Sequence, residues 1–314
     1  MTKADYIRPQ FDSISGISTG SLIAPFAFIG TPDEYDDIIS LYENPGPDWV
    51  RERGIIPYLP GNVSLYDVSK LRETIKSVIS PSLIKNIARD AEGRQLLIGA
   101  TNVDYGLLRV WDLAQIASEK STKQAVDQTV SILSASTAIP GLFPPVIIDD
   151  LLYVDGGAIM LVVGGIEERS WAYHTENHSM SFVDSKAPIK IRVWIIVNQK
   201  LLTDPKVVQS RWTSIAARSL NTLIRSSTLQ SIQDAETYVR LINQRPEFDA
   251  EMRYVAIPQD FPIADSDEMF DAETMRSLVK LGMRMGADPA SWKTDALRPG
   301  APFELQSSKE GGEN

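Results

Sequence analysis

Residues 11–24 carry the feature that most constrains the fold. A short segment of alternating apolar residues ends in Gly16-Ile17-Ser18-Thr19-Gly20, and a longer apolar segment of helical character follows. This order predicts a strand, a sharp turn and a helix, the setting of a nucleophile elbow with Ser18 at its tip. Glycine at positions 16 and 20 lets the two arms of such a turn approach closely. The positive end of the following helix would favour an alkoxide-like oxygen on Ser18. A plain Gly–Ser turn fits the same five residues, so the rest of the chain has to decide.

Downstream, strand patterns alternate with helix patterns. Thr31 reads as an N-cap with Pro32 at the first helical position, leading a helix through residues 35–42. Residues 44–61, rich in Pro and Gly, read as a surface excursion. Helices are expected over 66–79 and 81–91, and strands over 95–102 and 107–111. Asp112 is expected to cap a helix to about residue 119, and a further helix over 123–133 is broken before Pro140. A strand at 151–154 ends in Asp155-Gly156-Gly157. Residues 188–198 read as a strand buried in a covered sheet. One or two long helices over 210–242, a strand at 252–257 and a helix at 272–285 complete the order. The expected class is α/β: a mainly parallel sheet covered by helices on both faces. It forms one domain over residues 1–297, followed by a polar, disordered tail over 298–314.

Charge and composition remove several function classes. A net charge of −10 argues against nucleic-acid binding and against simple adsorption to anionic membranes. Cysteine is absent, which excludes disulfides, thiol catalysis and thiolate metal sites. His174 and His178 are the only histidines, so a multi-histidine metal centre is impossible. No metal and no cofactor is expected. No apolar run approaches the ~20 residues of a membrane helix. The first ten residues lack the apolar core of a signal peptide, so a cytoplasmic location is the expectation for the chain as written.

Asp155-Gly156-Gly157 by itself reads as a turn after a strand. Like Ser18, however, it closes a strand, where catalytic groups of α/β sheets gather. A serine nucleophile needs a base, and an aspartate flanked by two glycines could serve as one.

Taken together, Gly16-Ile17-Ser18-Thr19-Gly20, the segment Ser134-Ala135-Ser136-Thr137-Ala138-Ile139-Pro140-Gly141-Leu142-Phe143-Pro144-Pro145, and Tyr153-Val154-Asp155-Gly156-Gly157 make the chain resemble the patatin-like phospholipases, in a bacterial branch. The segment Gly93-Arg94-Gln95-Leu96-Leu97-Ile98-Gly99-Ala100-Thr101-Asn102 is similar to the middle strand of that family, and the likeness spans about residues 11–295. The resemblance implies a Ser–Asp dyad, with Ser18 as nucleophile and Asp155 as base. It implies a lipid or fatty-acyl ester as substrate and transient contact with a membrane surface. Thr19 would offer its backbone N–H to the oxyanion.

One departure stands out. Family members place a glycine-rich strand-to-helix turn well upstream of the serine, and its N–H groups form most of the oxyanion hole. Only seventeen residues precede Ser18, and the first ten contain no glycine. The expectation is therefore a chain that lacks this strand-turn-helix, with weakened or lost activity. Such a chain could be a late-start or degenerate form of a longer protein that carries an export or lipoprotein signal. Two rivals follow: a non-catalytic lipid-binding protein that keeps the acyl pocket, and a Ser–Asp–His hydrolase using His174 or His178. Three further features take ordinary readings: Asp265-Ser266-Asp267-Glu268 as a solvated loop, the tryptophans (Trp194 among them) as core, and Arg211, Arg218 and Arg225 as a solvated helix face.

Overall fold

The strand β4, Gln95–Asn102, organises the first half of the molecule. Every residue from Leu96 onward is buried, so both faces of the strand are covered, as the apolar run over residues 96–100 requires. In the computed structural model, residues 10–46, 48–54, 62–159, 188–202, 207–263 and 269–298 are described. Strand β1, Ser13–Gly16, pairs parallel with residues 95–98 of β4. Strand β7, Leu151–Asp155, pairs antiparallel with residues 100–102. Strand β5, Leu107–Asp112, runs antiparallel along residues 97–102. The β5 register overlaps both of the others, so β5 holds one edge of β4 while β1 and β7 share the opposite edge. They run toward each other along it. Gly16 lies opposite Ile98 and Asp155 opposite Ala100, so the two strands converge on Gly99.

The expected α/β class is what the chain adopts. The five-stranded sheet is mixed, completed by β6, Val146–Ile148, antiparallel to β7. Helices α1 (Thr19–Ile29), α4 (Pro81–Arg89), α5 (Leu113–Glu119) and α6 (Thr122–Ser136) pack with it into one hydrophobic cluster. Local chemistry sets several boundaries. Helix α2, Pro32–Glu43, begins where Thr31 Oγ1 accepts from Glu34 N–H at 3.4 Å. The Ser80 hydroxyl accepts from Leu83 N–H at 3.1 Å to start α4, and Asp112 Oδ1 accepts from Ala114 N–H at 2.9 Å to start α5. These are N-caps, each supplying an acceptor for an otherwise orphaned donor of the first turn.

A second unit follows. Strands β8, Ile189–Lys200, and β9, Phe248–Ile257, pair in parallel, and helix α7, Trp212–Ile242, packs on β9. They form a separate cluster around Ile195, Val197, Ile232, Met252 and Tyr254. Helix α8, Ala272–Ala287, returns to pack against α2. No helix among the described residues is long and apolar enough to cross a membrane.

Four expectations need correction. The helix expected over 66–79 is shorter: β3, Tyr66–Asp67, pairs with β2, Arg51–Glu52, and α3 spans Ser69–Val78. The Leu65 and Tyr66 N–H groups donate to Gly141 and Leu142 carbonyls, a tertiary demand that overrides the local pattern. Next, β8 is not enclosed by a covered sheet: Ile196 is 76% exposed, because β8 has only β9 beside it among the described residues. The tryptophans divide as well. Trp49 and Trp111 are buried, whereas Trp194 is exposed, packed edge-on against Trp292 with Arg253 over its face. Finally, Arg225 leaves the expected solvated face: its guanidinium donates to the Lys200 and Leu202 carbonyls and ties α7 to the end of β8. Asp265 to Glu268, His174, His178 and almost all of the expected tail lie outside the described residues.

Candidate active site

The elbow occupies the two residues between β1 and α1. Ser18 has φ 53° and ψ −128°, a conformation most side chains avoid, which costs on the order of 1–3 kcal/mol unless its surroundings enforce it. They do so through backbone and side-chain hydrogen bonds. The Gly20 N–H donates to Ile17 O at 2.9 Å, and both the N–H and the hydroxyl of Ser21 donate to Ser18 O, at 2.9 and 2.6 Å. Gly16 permits this closure, since a Cβ there would stand 2.4 Å from Gly20 O. The role expected for Gly20 needs revision: a Cβ at that position meets nothing within 4 Å.

Ser136 supplies the remaining restraint. Its fully buried hydroxyl accepts from Ser18 N–H at 3.1 Å and donates to Gly99 O at 2.7 Å. One side chain at the end of α6 thus locks the tip of the elbow to the central strand. Ser136 lies in the segment that carries the family resemblance, yet nothing local in the sequence assigns it this task. A small hydroxyl residue at a helix end most often satisfies its own backbone.

Asp155 arrives from the other direction. Its N–H donates to Ala138 O at 2.8 Å, its carbonyl accepts from Thr101 Oγ1 at 3.0 Å, and Oδ1 accepts from Gly157 N–H at 2.8 Å. A Cβ on Gly156 would lie 2.8 Å from Gly99 O and 3.0 Å from Ile17 Cγ2, so only glycine lets this turn sit against β4 and the elbow. The carboxylate is 5% exposed, and the Ser18 hydroxyl lies near enough to stabilise its charged form. Burial raises its pKa to about 6, against the smaller, opposing effects of the Ser18 hydroxyl and the Gly157 N–H. The head-on approach of β1 and β7 therefore brings a hydroxyl and a carboxylate of raised basicity to the same point of the sheet.

Ser18 and Thr19 open onto a cavity of about 160 Å³. Its walls come from α1, α2, α3 and α6, with Phe143 and with Met269, Phe270 and Met275 from the far end of the sequence. The polar residues on these walls are inward-satisfied. The hydroxyls of Tyr42, Thr74 and Thr137 donate to the carbonyls of Thr19, Lys70 and Leu133, at 3.4, 3.0 and 2.9 Å. Burial pushes the Tyr42 phenol well above its ordinary pKa, so it stays neutral. The lining suits an alkyl chain.

A family model described as patatin-like phospholipase matches residues 4–162. That is half of the chain, and it contains both Ser18 and Asp155. The chain belongs to the patatin-like phospholipase family. This membership places it, at a coarse level, among lipid acyl hydrolases that act on lipid substrates. Among curated proteins, none matches the chain. The matched part ends before β8, α7, β9 and α8, so the family model does not account for the Met269, Phe270 and Met275 walls of the cavity.

Within this patatin-like frame, Thr19 stands at the first turn of α1. Among the described residues its N–H has no acceptor, as helix geometry leaves it. The Ser18 N–H, in contrast, is taken by Ser136.

Proposed function

We propose that this chain is a serine acyl hydrolase that cleaves fatty-acyl esters of lipids through a Ser18–Asp155 dyad. The observation that carries the reading is the convergence of the elbow bearing Ser18 and the buried Asp155 carboxylate on Gly99 of β4, where the Ser18 hydroxyl stabilises the charged carboxylate. In the reaction, Ser18 Oγ attacks the ester carbonyl while Asp155 accepts the hydroxyl proton. The oxyanion of the tetrahedral intermediate receives the Thr19 N–H, aided by the positive end of α1. Collapse expels the alcohol, which takes the proton back from Asp155, and leaves an acyl-Ser18 ester. Water then attacks that ester with Asp155 again as base, releasing the fatty acid and restoring both side chains. The acyl chain occupies the apolar cavity beside Ser18, and the headgroup stays at the lipid surface. A carboxyl with a pKa near 6 suits the base role better than an ordinary aspartate would, because it is ionised at neutral pH and holds a proton more strongly.

Labelling of the full chain by a fluorophosphonate probe, with hydrolysis of short p-nitrophenyl esters, tests the reading. Ser18→Ala is expected to abolish labelling and turnover. Asp155→Asn should lower kcat by about 10²–10⁴-fold, the range of a lost general base, and replacing His174 and His178 together should leave turnover intact. Wild-type protein that binds fatty acids but neither labels nor turns over would favour a non-catalytic lipid-binding role. Loss of turnover in the double histidine variant would favour a Ser–Asp–His arrangement.

A further inference from the structure

The acyl cavity of a patatin-like fold need not be closed by the part of the chain that defines the family. Here Met269, Phe270 and Met275 line it together with Ser18 and Thr19. Phe270 packs edge-on against Trp49 with centroids 5.7 Å apart, and α8 is fastened to α2 where Arg276 Nε donates to Glu43 O at 2.8 Å. Met269 is itself 40% exposed. Met269 thus faces both the cavity and solvent.

The volume fixes the scale. An apolar cavity of about 150 Å³ accepts a single benzene, or roughly six carbons, and the cavity here is about 160 Å³. We infer that Met269, Phe270 and Met275 set the acyl-chain ceiling of this chain, and that it takes medium acyl groups, hexanoyl to octanoyl, in preference to palmitoyl. A longer chain would have to displace Phe270 or pass out beside Met269. Each methylene buried up to the ceiling should raise kcat/KM by about fourfold, and methylenes beyond it should lower it. The inference rests on the acyl-ester reading of the site.

The test is the chain-length profile of kcat/KM for p-nitrophenyl acetate, butyrate, hexanoate, octanoate, laurate and palmitate, measured on the full chain. The expected profile climbs to hexanoate or octanoate and falls at least about tenfold by palmitate, the loss of somewhat more than one contributing methylene. Phe270→Ala should move the maximum toward laurate, and Phe270→Leu or Met275→Ala should move it less, with unchanged circular dichroism in each. A wild-type maximum at palmitate, or profiles unchanged in all three folded variants, overturns the inference. Absence of both turnover and fluorophosphonate labelling at every chain length refutes the hydrolase reading instead. The ceiling is then read from displacement of a fluorescent fatty acid from Ser18→Ala protein. Affinity that peaks at octanoate and weakens in laurate and palmitate upholds the ceiling, and affinity that keeps rising to palmitate overturns it.

Discussion

The sheet around β4 and the pair β8–β9 invert each other. Around β4 the interior holds polar groups: Ser21, Thr101, Asn102, Ser134, Ser136 and Asp155 are all buried. Along β8 and α7 it is the apolar groups that meet solvent, with Trp194, Ile196, Trp212, Ile215 and Leu223 all exposed. The buried polar groups have a use where they are, since several of them hydrogen-bond to the elbow, to Gly99 or to the Asp155 turn. Desolvating such groups is tolerable where they find partners of this kind. Buried polarity gathers where Ser18 and Asp155 converge, while α7 buries only Thr228 and Ser231 among its polar side chains. Substitutions should therefore matter most where polar groups or backbones are enclosed around β4, and least on the open face of β8.

The largest effect should come from Gly16→Ala and Gly156→Ala, because each new methyl would collide with backbone rather than with a yielding side chain. About 1–3 kcal/mol of destabilisation is expected for each, with hydrolysis reduced beyond what the loss of folded protein explains. Gly20→Ala provides the counter-case inside the same motif. With open space at its Cβ and a helical position, it should leave urea unfolding unchanged or improved by up to about 1 kcal/mol. Equal damage at 16 and 20 would break the geometric account of the elbow.

Asp155→Asn sharpens the comparison by separating function from stability. The folded-state pKa of Asp155 lies above its unfolded value, at about 6. Its contribution to stability is therefore fully present below the unfolded value and is lost as pH rises through about 6. Asparagine removes that loss, so the variant should melt higher at neutral pH, by up to about 3 kcal/mol in unfolding free energy. The sign for activity is opposite. The base must be ionised, so wild-type kcat/KM should rise with pH through about 6 and then level. A flat profile across that range would detach the buried carboxylate from the chemistry.

Ser136→Ala comes next, leaving Ser18 N–H and Gly99 O without their shared partner. A cost of about 1–3 kcal/mol is expected from the buried groups left unpaired. The effect on turnover should appear in kcat rather than KM, because Ser136 positions the elbow and does not line the cavity. Restoration by Ser136→Thr, where space allows, would separate the hydroxyl from the packing. The smallest effect belongs to β8: Ile196→Thr on its open face should change stability by no more than about 0.5 kcal/mol. Its buried neighbour Val197→Ala should cost clearly more in the same denaturant titration.

Several boundaries are legible in a few residues. Thr31 and Asp112 cap their helices because a cap needs only a side-chain oxygen and an N–H a few residues away. Strand 95–102 was legible because eight consecutive residues declare a covered strand. The turn at Asp149 and Asp150, both at positive φ, was not: it closes the β6–β7 hairpin with residues that read as ordinary surface polarity. The exposure of β8 was also hidden, because an apolar run specifies what a strand would prefer to touch, not how many neighbours the fold provides.

By itself, then, the sequence determined the α/β alternation, the strand-turn-helix bearing Ser18, and the second strand ending at Asp155, since each follows from hydrogen bonding and periodicity over a few residues. Only the tertiary structure decided that β1 and β7 meet head-on at Gly99, that Ser136 ties the elbow to β4, and that residues near 270 wall a cavity opening at residue 18. The reason is physical. These depend on register and packing between segments more than a hundred residues apart, which no local pattern encodes.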